Sequence, residues 1–196
     1  MNRIIILTEL VQDFYESHRA SWIPYWSEYL YKNHIFLVAE LAEKLSEEFH
    51  INPEFSIVAS LLHDIADAVV DRTDPDHMKI SETITLELLE IAWFSEEERE
   101  VIVYDIIAKH SCRNGIKPES IEGQIMTSAD AIAHLSSDFY EFVLVQKMRK
   151  WDSIESIKTW WLPKVERDFF IKICFENIRE RYRSYFEKSK NLFLEL

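Results

Sequence analysis

Residues 54–70 constrain this chain more than any other stretch. Val58, Ala59, Leu61, Leu62, Ile65, Ala66, Val69 and Val70 form an apolar run without glycine or proline, and His63 and Asp64 sit side by side in its middle. A segment that is apolar nearly all round belongs in a core, so both polar side chains are carried inside with it. A buried carboxylate without a partner is costly. A divalent cation satisfies an imidazole and a carboxylate together. The rest of the chain can be searched for further ligands, for walls around them and for groups that meet a substrate.

The chain is all-α by its punctuation. Only two glycines and five prolines occur in 196 residues, too few to turn a set of strands, while apolar positions recur at helical spacing. Helices are expected over residues 3–16, 27–49 (Leu30, His34, Leu37, Val38, Leu41 and Leu45 on one face), 54–70, 77–93 and 119–136. Another opens at Ser95, with Glu98 three residues on, and runs to His110. Residues 139–188 read as two or three aromatic-rich helices broken near Asp152 and Pro163. The chain is long enough for one domain, residues 1–196. A net charge of -13 argues against nucleic acid. Two cysteines, Cys112 and Cys174, make no disulfide framework and point to a reducing cytoplasm. The N-terminal apolar burst is broken by Glu9 and Asp13, which predicts neither a signal peptide nor a membrane span.

Four histidines and two aspartates fall on or at the ends of successive helices: His34, His63, Asp64, His77, His110 and Asp130. His34 shares a face with Val38, Leu41 and Leu45. His110 shares one with Val103, Ile106 and Ile107, and Asp130 one with Met126 and Ala133. Each such residue points where its helix packs. This donor set suits Zn, Mn, Fe or Mg.

The ordered set His34, His63-Asp64, Asp130, within about residues 30–136, resembles the H…HD…D pattern of the HD-domain superfamily of metal-dependent phosphohydrolases. LLHDIAD is similar to that group's central helix, IIAKHS to the helix that brings an extra histidine, and MTSADAIAHL to its final Asp helix. The resemblance implies an all-α HD-domain bundle, core about 27–136, closed by C-terminal helices over about 139–188. It implies a divalent metal (Mn, Fe, Mg, Zn, Ni or Co) held by His34, His63, Asp64 and Asp130. In some members two more histidines, here His110 and His77, hold a second ion. The implied activity is hydrolysis of a small phosphorylated substrate, foremost a nucleotide, through a metal-bound water. An acidic residue at the place of Asp67 is taken in nucleotidase-like members to orient water or protonate the leaving group. Asp67 is one methylene shorter than the glutamate often found there.

Phosphate calls for cations beyond the metal, and Arg72, Lys109 and Arg113 stand beside ligands in the chain. His134, one turn past Asp130, reads as packing or capping, with a second role as a donor to Asp130. His18 and His50 read as solvated. Trp151, Trp160, Trp161, Phe169, Phe170 and Phe175 read as core, and any left exposed would serve a homodimer. Two rival readings remain at this stage: a metal-containing nucleotide-binding or sensing module without turnover, and a di-iron oxidative enzyme of the same fold if His77 and His110 both ligate.

Overall fold

The computed structural model describes residues 2–23, 25–150 and 153–192, and these contain helices and turns but no strand. Pro24, Trp151 and Asp152 lie outside the described residues. Helix α1 (Arg3–Ser17) starts on the Asn2 side chain, which accepts from the Ile4 N–H. The helix expected over 27–49 is composite: α2 (Trp26–Tyr29) passes through a π-helical turn, Leu30–His34, into α3 (Ile35–Glu48). The π turn ends on His34, whose backbone (φ -120°, ψ -64°) leaves the regular helix. Such insertions recur at functional positions because they re-aim one side chain.

The central helix departs from the expectation of a single run to residue 70. Helix α4 (Glu54–Leu62) stops before the His-Asp pair, Asp64 takes φ -118°, ψ 21°, and a short 3-10 turn, Ile65–Ala68, follows. The buried Tyr15 hydroxyl donates to the Asp64 carbonyl at 3.0 Å, and the Asp67 N–H also closes on it at 3.1 Å. That carbonyl is thereby satisfied outside an α-helical ladder. In a regular helix adjacent side chains diverge by about 100°. The break lets His63 and Asp64 face the same side.

Helix α5 (His77–Ile91) follows a polar loop. The Ser95–Glu98 capping box opens α6 (Glu96–Glu100), which runs into a π-helical stretch, Val101–Ile107. His110, expected within this helix, lies in the turn beyond it. Helix α7 (Ile121–Ser136) is buried on most of its surface. The tail carries more helices than expected: α8 (Phe139–Arg149), α9 (Ile154–Glu166) with a π-helical extension Arg167–Lys172, α10 (Glu176–Arg181) and α11 (Arg183–Asn191). Pro163 sits inside α9 and does not break it. The Thr159 carbonyl that loses its donor lies on an exposed face, where water can serve it.

Two apolar cores result. One joins α1, α4, α5 and the Val101–Ile107 stretch. The other joins α7, α8, α9 and the tail, and buries Trp161 and Phe169, while Phe170 is about half exposed. Helix α3 packs on both α4 and α7 and feeds Ile35 and Ala39 to one core and Val38, Ala42 and Leu45 to the other. No helix among the described residues is long and apolar enough to cross a membrane.

Candidate metal centre

Five side chains meet where the two cores adjoin: His34 at the head of α3, His63 and Asp64 past the end of α4, and Asp130 and His134 one turn apart on α7. All five are buried. His34 Nε2 lies 3.3 Å from His63 Nε2, 3.2 Å from Asp130 Oδ1 and 3.9 Å from Asp64 Oδ2. His63 Nε2 lies 3.4 Å from Asp64 Oδ2 and 3.8 Å from Asp130 Oδ1. Ligand atoms about 2.1 Å from one shared ion stand roughly 3.0–3.4 Å apart as neighbours and about 4.2 Å apart when opposite. The spacings fall in that range.

The hydrogen-bond pattern makes the same case from chemistry. A carbonyl only accepts, so His63 Nδ1, 2.7 Å from the Ser60 carbonyl, carries that ring's proton. Its Nε2 then turns a lone pair toward two carboxylates. His134 repeats the arrangement: Nδ1 is 2.9 Å from Asp168 Oδ2, while Nε2 faces Asp130 Oδ1 at 3.3 Å. Burial pushes His134 down to about 3, so it is neutral at pH 7. Asp130 Oδ2 is taken by the Lys172 ammonium, whereas Oδ1 and His34 Nδ1 are buried without a hydrogen-bond partner. Lone pairs aimed at carboxylate oxygens with no proton between them are unfavourable until a cation intervenes. The residues therefore fit a divalent ion, and the overlapping groups His34–His63–Asp64 and His34–Asp130–His134 are each close enough to hold one.

Arg72 beside Asp64 and Lys172 beside Asp130 are the permanent charges that keep both carboxylates ionised. Burial alone would raise Asp64, but Arg72 and the imidazoles of His63 and His34 hold it well below the usual carboxylate range. Burial would likewise raise Asp130, and His134 and Lys172 hold it down. A further buried layer lies behind His134: Asp168 accepts from Lys164 and from the Tyr140 hydroxyl (2.8 Å). This is the outer support that metal-ligating imidazoles usually have.

Above the cluster opens a cavity of about 390 Å³ bordered by His63, Asp64, Asp130, His110 and His77. The His110 ring centroid is 5.3 Å from that of His63, and its Nδ1 donates to the Ile107 carbonyl at 2.6 Å. Burial and then His63 push it down to about 4. His77 Nε2 lies 3.7 Å from Asp67 Oδ1. Asp67 is fully buried, accepts from Trp26 Nε1 (3.1 Å) and Arg72 Nε (2.9 Å), and is not part of the cavity lining. Arg72 spans Asp67 and Asp64 and lies over the Trp26 ring. Lys109 is occupied by Asp105 (2.9 Å) and Glu119 (3.0 Å), and Arg113 is exposed at the cavity's border.

Lys164, Asp168 and Lys172 are not among the residues singled out in the sequence, although their 4-residue spacing beside an apolar stripe (Trp161, Val165, Phe169) carries the signal. Charged residues repeating on the buried face of a helix need partners. His134, which the sequence presents as packing or capping with a second role toward Asp130, contacts both Asp130 and Asp168.

In comparisons with known proteins, the family model of the HD domain matches residues 31–135. No curated protein and no solved structure gave a match.

Proposed function

Because this chain belongs to the HD-domain family, a superfamily of metal-dependent phosphohydrolase type, we propose that it hydrolyses a small phosphorylated compound, with nucleotides as the first substrate class. The observation that carries the proposal is the packing of His34 Nε2, His63 Nε2, Asp64 Oδ2 and Asp130 Oδ1 at ion-sharing distances beside a cavity of about 390 Å³. A divalent ion bound by these four residues would supply Lewis acidity to a phosphoryl oxygen and lower the pKa of an adjacent water.

The chain's own residues do the rest. Ser60 fixes the His63 tautomer, and Lys172 leaves one oxygen of Asp130 free. Arg72 orients Asp64 and is itself held by Asp67, so Asp67 acts here as a positioning residue through Arg72. His110, neutral at pH 7, can accept a hydrogen bond from a water in the cavity.

Metal analysis of the purified protein, followed by a phosphatase screen with added Mn or Mg, tests the reading. One bound ion and phosphate release, both lost in Asp130→Asn, are expected. Failure to bind any divalent ion refutes it. Tight nucleotide binding without phosphate release would favour a sensing module, and two irons without phosphate release would favour oxidative chemistry.

A further inference from the structure

Six cationic side chains border the cavity: Arg72, Lys109, Arg113, Lys164, Arg167 and Lys172. Four have carboxylate partners. Arg72 meets Asp64 and Asp67, Lys109 meets Asp105 and Glu119, Lys164 meets Asp168, and Lys172 meets Asp130. Arg113 and Arg167 have no ion pair among the described residues. Arg167 opens the π-helical stretch between Lys164 and Lys172, and its Nε is sealed from solvent without an acceptor.

In a chain with 35 acidic residues against 22 basic ones, two unpaired guanidiniums on one cavity are unexpected from composition. A buried donor left unsatisfied costs free energy until an acceptor arrives. The loop that carries Arg113 is also unusual. Cys112 (φ 49°) and Asn114 (φ 54°) are left-handed on either side of Arg113, and Gly115 (φ 76°) follows. Left-handed backbone at non-glycine residues is costly and clusters at ligand clamps. The loop is pinned by the Cys112 N–H on the Lys109 carbonyl (3.0 Å) and the Ile116 N–H on the Arg113 carbonyl (3.1 Å).

We infer that Arg167, together with Arg113, receives an anionic group of the substrate separate from the phosphoryl group at the metal cluster. The substrate is then a phosphoanhydride, such as a nucleoside di- or triphosphate, and not a simple monoester. A guanidinium can fork onto two oxygens of one phosphate. The apolar stretch Met78, Val103, Ile107 and Ile116 on the same cavity offers cover for an organic moiety. This inference rests on the phosphohydrolase reading for the placement of the first phosphoryl group.

The probes are orthophosphate and pyrophosphate, titrated calorimetrically into the Mn-loaded full chain. In the wild type, pyrophosphate should bind about tenfold or more tightly than orthophosphate. Arg167→Ala should weaken pyrophosphate by about tenfold and leave orthophosphate within about twofold, and Arg113→Ala should do the same more weakly. Arg167→Lys, which keeps charge but not the fork, should fall between. Equal losses for both anions, no loss for either, or no wild-type preference would each overturn the inference. If the preference follows Arg167 but no phosphate compound is turned over, hydrolysis falls and the subsite stands. If monoesters are hydrolysed while pyrophosphate binds no better than orthophosphate, the subsite falls alone.

Discussion

Replacing Lys172 with methionine removes the charge that faces Asp130 while keeping most of the side-chain volume. Both side chains are buried, and the ammonium is bonded to Asp130 Oδ2. Breaking a buried pair by deleting one partner costs about 3–5 kcal/mol, because the remaining charge loses its compensation. In a chain of this size each kcal/mol moves Tm by about 2–4 °C, so the metal-free variant should melt roughly 6–20 °C below the wild type. A divalent ion on Oδ1 would replace the missing counter-charge, leaving about 1–2 kcal/mol for the lost contacts of the lysine stem. By linkage the difference of about 2–3 kcal/mol must appear as a gain in ion affinity of roughly 30- to 150-fold. Thermal unfolding by circular dichroism, with chelator and with saturating Mn, measures the first quantity, and calorimetric titration of Mn measures the second. Equal destabilisation with and without the ion would show that Lys172 is not the counter-charge of an ion-binding Asp130.

Three further outcomes follow from the same geometry. His134 is pushed down from 6.5 to about 3 by burial, so the unfolded chain takes up its proton first. The stability owed to the neutral ring is present above pH 6.5 and is lost as pH falls toward 3, by about 2 kcal/mol at pH 5. Urea unfolding of the metal-free His134→Gln variant should show a correspondingly shallower loss between pH 7 and 5, and an unchanged slope would remove His134 as its cause. Tyr15→Phe removes one of the two hydrogen bonds on the buried Asp64 carbonyl, leaving that from the Asp67 N–H, and should cost about 0.5–1.5 kcal/mol in urea unfolding; a cost near zero would mean the helix break at Asp64 does not depend on that bond. Gly123→Ala should destabilise although alanine is the better helix former by about 1 kcal/mol, because the added Cβ would stand 2.5 Å from Pro118 Cβ and 2.9 Å from Ser120 Oγ; a raised Tm would contradict the packing at the head of α7.

The helices and the four residues of the H…HD…D pattern are legible in the chain because each is a local signal: an apolar period, a capping box at Ser95, or a polar residue on an apolar face. What is not legible depends on distant partners. At the end of α4 the Asp64 carbonyl is met by Tyr15, 49 residues away in sequence, and no propensity within residues 54–70 announces that contact. Arg72 and Lys109 stand near ligands in the sequence, yet acidic side chains occupy them in the fold. Arg167 has no such marker, since a free guanidinium is defined only by the partners it lacks.

The placement of the cluster between two cores has a consequence for what completes it. The matched family region ends at residue 135, and the residues of the H…HD…D pattern lie within it. Arg72, which pairs with Asp64, lies there too. The groups that hold Asp130 and His134 do not: Lys172 on Asp130, and Asp168 with Lys164 and Tyr140 behind His134, all come from the tail. The tail helices bury Trp161, Val165 and Phe169 in the core that α7 shares, which carries Asp168 and Lys172 inward on the same stripe. Apolar packing and ligand orientation are therefore one constraint here. A substitution that loosens the Trp161–Phe169 stripe should reach the ion through Lys172 and Asp168.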